Sequence, residues 1–161
     1  MNPEEGELRP QLLDRFALAV DVVSEKDVQQ RTEVIRRRLA FEADPKGFCQ
    51  LYAAEEYELV KRIEQAKEAI ADVEFTEEML SLAARVSIRL EIESHRADIM
   101  MMKTAMTIAA FSGRLRVIAN DMKQAAFLVL PHRLRQAPFE PGGRNEVQIE
   151  QAFAEVSEVN A

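Results

Sequence analysis

TEEMLSLAARVSIRLEIESHRADIMMMKTAMTIAAFSG, residues 76–113, decides the fold. Thr76 is a good helix N-cap, and Glu77 and Glu78 behind it carry the sign that a helix N-terminus favours. Leu80, Ala83, Ser87 and Leu90 follow at helical spacing and are read as the apolar face. A second helix is expected from near Ser94, through Ile99, Met102, Met106 and Ala109, with Gly113 after Ser112 as its C′ residue. The same period runs through the flanking sequence, so the chain reads as mostly α.

Upstream, Ser24 with Asp27 makes a near capping box, and Val28, Ile35 and Leu39 mark one face of a helix ending before Asp44 and Pro45. Pro45 suits the first turn of a long helix striped by Tyr52, Leu59, Ile63, Ala66 and Ile70. Its other face alternates glutamates with Lys61, Arg62 and Lys67, which is charge used for solubility. Residues 17–23, ALAVDVV, read as the one strand. Downstream, a helix is expected from about Asn120 to Leu130, where it meets Pro131; residues 137–145 read as a loop and 146–156 as a final helix.

Composition limits the function. The 161 residues are 47% hydrophobic and 30% charged, enough for one soluble core. With 28 acidic against 21 basic residues the net charge is −7, which argues against nucleic acid or an anionic membrane as partner. Cys49 is the sole cysteine, with His95 and His132 the sole histidines, so neither a disulfide framework nor a Cys/His metal cage can be built within the chain. A reducing cytoplasm fits, and no apolar run is long enough to span a membrane. Met100, Met101, Met102 and Met106 suggest a porphyrin surface, but methionine at helical spacing is more often core filler.

One arginine breaks a local rule, and a second raises the same suspicion from another direction. Arg96 falls in the first turn of its helix, where the dipole disfavours a cation; it either pairs with Glu91, Glu93 or Asp98 or joins the free N–H groups in addressing an anion such as phosphate. In GELRPQLLDRF, residues 6–16, Pro10 can open a turn that Leu12 and Leu13 anchor, so that Arg15 projects from its end. Asp14 would orient or neutralise it. A guanidinium held in this way suits charge stabilisation on a transferred phosphoryl group, against the plainer reading of an ordinary surface pair.

The run NPEEGELRPQLLDRF, residues 2–16, resembles the second half of the AAA+ ATPase core in the I subunit of magnesium chelatase. SHRADI, residues 94–99, resembles that family's sensor-2 segment, and PHRLRQAPFE, residues 131–140, its HRLR-x-x-P motif. The resemblance covers essentially the whole chain. It implies Asn2 as sensor 1, Arg15 as the arginine finger reaching a neighbouring subunit's ATP, Asp14 as its neighbour and Arg96 as sensor 2. It further implies that residues 1–23 are a remnant of the α/β core and residues 24–161 a helical lid domain.

Departures qualify this. The sequence has no G-x-x-x-x-G-K-[ST] and no apolar run ending in paired acids, so nothing in it cradles phosphates or holds Mg²⁺. The resemblance therefore implies a C-terminal piece, inactive alone, of an assembly that uses ATP and Mg²⁺. Implied partners are its own N-terminal AAA+ core, neighbouring copies in a ring, the chelatase D subunit and the large porphyrin-binding subunit. Ile118 and Ala119 stand where relatives place a threonine cap, and Asn120 is expected to cap one turn later. His95 is read as a local hydrogen-bond donor. The alternatives are a MoxR-type or D-subunit lid, or a stand-alone helical adaptor; the adaptor predicts a packed N-terminus, the lid a frayed, swapped or neighbour-bound one.

Overall fold

The computed structural model describes residue 12 and residues 14–20, 22–134 and 144–158. Six α-helices occur among them, in two units: Asp21–Gln65, and Met1–Val20 with Ala66–Ala161.

In Asp21–Gln65, α1 (Val28–Ala43) begins one turn later than Ser24 would set it, because Asp27 is the cap: its carboxylate accepts from the Gln30 N–H at 2.9 Å. Carboxylates outrank alanine-like alternatives here because they satisfy an orphan donor of the first turn. α1 ends at Ala43, and Asp44 then caps α2 (Pro45–Ala69), accepting from the Gly47 N–H at 3.0 Å. A Cβ on Gly47 would stand 2.2 Å from Asp44 Oδ2, so a larger residue there would have to displace the capping carboxylate. Phe41 meets Phe48 edge-on across the corner and Phe48 meets Tyr52 at a tilt of 48°, with centroids 5.8 and 5.1 Å apart. No residue of α1 is buried, and Leu59 and Ile63 are exposed, so the apolar stripes are present but uncovered within this unit. α2 passes into the other unit at Ala66, its buried residue.

That other unit holds the core. α3 (Glu77–Arg89) starts at Thr76, whose hydroxyl accepts from Met79 N–H at 3.4 Å, as its sequence position predicts. Its buried face is Met79, Leu82, Ala83, Val86 and Ser87, whereas Leu80 is exposed and Leu90 partly buried. Ala83 and Ser87 of the expected face are thus buried, while Met79, Leu82 and Val86 take the place expected of Leu80: α3 carries apolar side chains beyond one stripe, and packing selects among them. α4 (His95–Phe111) closes as anticipated at Gly113, with φ 71°; Gly113 N–H reaches Ala110 O and Arg114 N–H reaches Ala109 O, both at 2.9 Å. This double bond to the preceding turn needs a left-handed residue, which glycine supplies without a Cβ clash. Glu91 takes the same role after α3 at φ 54°, a costlier choice.

α5 (Ala119–Val129) corrects the cap expected at Asn120. Asp121, three residues inside the helix, reaches back to the Ile118 N–H at 3.0 Å and takes two 2.6 Å bonds from Arg114. A parallel bridge ties Glu74 to Arg116, bringing the entries to α3 and α5 side by side. Ala97, Ala105 and Ala109 of α4 and Ala125 and Ala126 of α5 are all buried in the core these two adjoining helices share, and small side chains let backbones approach closely. Met101 and Met122 are fully buried and Met102 nearly so, with Met100 and Met106 packed partly buried against the core, which fits the reading of this cluster as core filler. α6 (Arg144–Glu158) closes the bundle with Ile149, Ala152, Phe153 and Val156.

Residues 17–23 form no strand where they are described, and Val22 is 94% exposed. A β-branched run becomes a strand only beside another edge, and no strand stands among the described residues to offer one. What holds this stretch instead is a bond from Ala19 N–H to Leu128 O at 2.9 Å.

Candidate functional site

Residues 14–17 lie at the end of α5 and the start of α4, and Arg133 joins them there. It sits in a 3₁₀ turn, Pro131–Arg133, that follows α5 because proline cannot continue the helix. The side chain is only 3% exposed. Its Nε donates to Asp14 Oδ1 at 3.2 Å, one terminal nitrogen to the carbonyls of Asp14 at 3.1 Å and Phe16 at 2.8 Å, and the other to those of Ala17 at 3.3 Å and Val129. One planar fork thus reaches acceptors on four residues, a geometry lysine cannot supply.

Asp14 is also bound at its second oxygen: the Ser94 hydroxyl donates to Oδ2 at 3.3 Å. Ser94 is the N-cap residue of α4 but leaves the first-turn N–H groups of that helix uncapped by its side chain. His132 Nε2 stands 3.0 Å from Phe16 O and 2.7 Å from the Arg133 guanidinium. Burial, and then the Arg133 charge, push its pKa below the ordinary value of 6.5, which favours the neutral ring.

The candidate residues fall out as follows. Asp14 orients nothing on Arg15; it is engaged by Arg133 and Ser94. Arg15 and Arg96 are exposed, and neither makes an ion pair among the described residues. The pairing of Arg96 with Glu91, Glu93 or Asp98 is absent there; Asp98 instead has His95 Nδ1 at 3.7 Å. That is too long for the hydrogen bond expected of His95, whose ring is 98% exposed. The Asp14 to Ser94 bond brings residue 15 and residue 96 to one corner of the fold. Asn2 lies outside the described residues. Arg133 was missed as a site residue, although an arginine just past a helix end is suited to the terminal carbonyls.

Comparison with known proteins bears on this corner. The AAA lid domain family model matches residues 80–152, which include the whole of α4 and α5. A magnesium-chelatase subunit ChlI homolog of Methanocaldococcus jannaschii is 44% identical over 160 residues, covering 99% of this chain and 44% of that protein. The chain carries an AAA lid domain and is a homologue of magnesium-chelatase I subunits. The magnesium-chelatase 38 kDa subunit of Rhodobacter capsulatus is 39% identical over 142 residues, covering 88% of this chain and 41% of that subunit. The chain therefore spans less than half the length of these chelatase relatives. A solved structure of an ATPase candidate from Cytophaga hutchinsonii shares the fold, with a TM-score of 0.61 at 17% identity, over 95% of this chain and 48% of that one. In AAA lid terms, the corner lies where α4 begins and α5 ends. No helix among the described residues is long and apolar enough to cross a membrane.

Proposed function

We propose that this chain is the lid-bearing C-terminal region of a cytoplasmic AAA+ ATPase subunit of the magnesium chelatase type, in which Arg15 and Arg96 complete an ATP site between neighbouring copies of a ring. In this reading residues 1–23 belong with the ATPase core and residues 24–161 with the lid, and hydrolysis drives Mg²⁺ insertion into protoporphyrin by the large partner subunit, with the D subunit in the assembly. The observation that supports it is the Asp14 to Ser94 bond at 3.3 Å, which joins the residue before Arg15 to the N-cap two residues before Arg96. Arg15 fits an arginine finger: positive, exposed, flanked by carbonyls that Arg133 holds, and without an ion pair among the described residues. Arg96, at the second position of α4, adds charge to the helix dipole and its free N–H groups. The two would stabilise the negative charge spread over the transferred phosphoryl oxygens. The cradle for the phosphates and the ligands for Mg²⁺ would come from the core that precedes Asn2, since the residues here supply neither.

The adaptor reading predicts a packed N-terminus, and residues 14–17 are indeed held. They are held through carbonyls by one lid arginine, while Phe16, Leu18 and Val20 stay exposed, so the segment is pinned rather than built into a core. The test is ATP turnover in the intact ATPase. Arg15→Ala is expected to lower kcat by about 10³-fold or more with thermal stability unchanged; normal turnover in both Arg15→Ala and Arg96→Ala would end the proposal.

A further inference from the structure

We infer that Arg133 is a positioning residue for Arg15: it fixes the backbone on both sides of residue 15 and so sets where that guanidinium is presented beside Arg96. The inference rests on the reading of Arg15 given above and adds a residue to it. The carbonyls that Arg133 engages belong to Asp14, Phe16 and Ala17, which bracket residue 15, while residue 15 itself contributes no acceptor. Its side chain has no ion pair among the described residues, and its peptide cannot rotate without breaking bonds on either side. One further bond goes to Val129 at the end of α5, which anchors the fork to the lid. An arginine serving only to cap α5 would need that bond alone. The others run to the far end of the chain, 116 to 119 residues away in sequence. Asp14 balances the buried charge, and the Ser94 hydroxyl on its other oxygen extends the same network to the first turn of α4, which carries Arg96. A shift of the lid would then be felt at the finger directly, because one side chain holds both.

The experiment compares Arg133→Gln and Arg133→Lys with Arg15→Ala in the intact ATPase. Amide hydrogen exchange is followed at Arg15, whose N–H donates to Leu12 O at 3.1 Å, and at Ala19, whose N–H donates to Leu128 O. Both Arg133 variants are expected to speed exchange at these two amides by about tenfold or more while amides inside α3 and α4 keep their protection. They should lower kcat by about tenfold or more with KM within about twofold, since a misplaced group loses the transition state rather than ground-state binding. Lysine keeps the charge and the stem, so it carries the test if glutamine prevents folding, and its failure to rescue identifies the fork as the requirement. The double variant Arg15→Ala with Arg133→Gln should turn over no more slowly than Arg15→Ala alone, because Arg133 acts through Arg15. Losses that multiply, or unchanged exchange at Arg15 and Ala19, overturn the inference. If Arg15→Ala is slow and both Arg133 variants are normal, this inference fails alone; if Arg15→Ala is itself normal, the reading of Arg15 as the finger fails and takes this inference with it.

Discussion

Two arginine–aspartate pairs hold the lid unit, and they differ in what they join. Arg114 and Asp121 are seven residues apart and staple the entry of α5 to the exit of α4 through two 2.6 Å bonds. Arg133 and Asp14 are 119 residues apart and pin residues 14–17 to the exit of α5. In the first pair the carboxylate is fully buried and the guanidinium partly exposed; in the second the guanidinium is buried and the carboxylate partly exposed. The near pair builds the fold. The far pair uses the built fold to place a segment, so damage to the two should register in different measurements.

The largest expected difference is in stability. Arg114→Ala leaves Asp121 buried without its partner and should cost about 3–5 kcal/mol, seen as a large drop in melting temperature. Arg133→Gln leaves a partly solvated Asp14 and should cost clearly less in global melting. Equal losses for the two would erase the distinction between a staple and a clamp.

Next in size is a separation by pH. Burial, the largest influence on Asp121, would raise its pKa, but the bonds from Arg114 and from Ile118 N–H outweigh it and the net shift is downward from 3.8. A depressed acid stabilises the fold above its unfolded value and loses that contribution as pH falls through the folded one, so the near pair should yield only below about pH 4. His132 is depressed below 6.5, so the unfolded chain binds the proton first as pH falls. Its neutral form beside Arg133, Asp14 and the Phe16 carbonyl is therefore favoured above 6.5, and the clamp should weaken as pH drops below that value. Exchange at Ala19 measured from pH 7.5 to 5, after correction for intrinsic rates, should show the loosening, and His132→Gln should flatten it.

The smallest effect belongs to the two left-handed helix ends. Glu91→Gly relieves the strain at φ 54° and should add about 1 kcal/mol, while Gly113→Ala at φ 71° should remove a similar amount. Both are read as small, opposite shifts in melting temperature.

Local signals were legible in the sequence. Thr76, Pro45 and Gly113 each act within one turn of themselves, so their positions gave the ends of α3, α2 and α4 directly. What depends on distant partners was not. The face of α3 is chosen by α4 and α6, and apolar residues on both of its sides left the choice open. The stretch at 17–23 has strand composition but no strand beside it among the described residues. Ser24 and Asp27 both suit a cap, and only the backbone shows that Asp27 takes the role. Of the candidate site, Arg96 stood out because it conflicts with its local setting, and Arg15 because the short stretch after Pro10 and its resemblance to a known family single it out. Arg133 conflicts with nothing local, and its five acceptors come together only when residues 14–17 fold back onto α5.

The most direct test is the position of the γ-phosphate in a nucleotide-bound structure of the intact assembly. The account predicts the Arg15 and Arg96 guanidinium groups from the same copy within about 3–4 Å of one triphosphate, with the Arg133 fork still closed on residues 14–17. Finding either group turned to solvent, or the two on separate nucleotides, would contradict it.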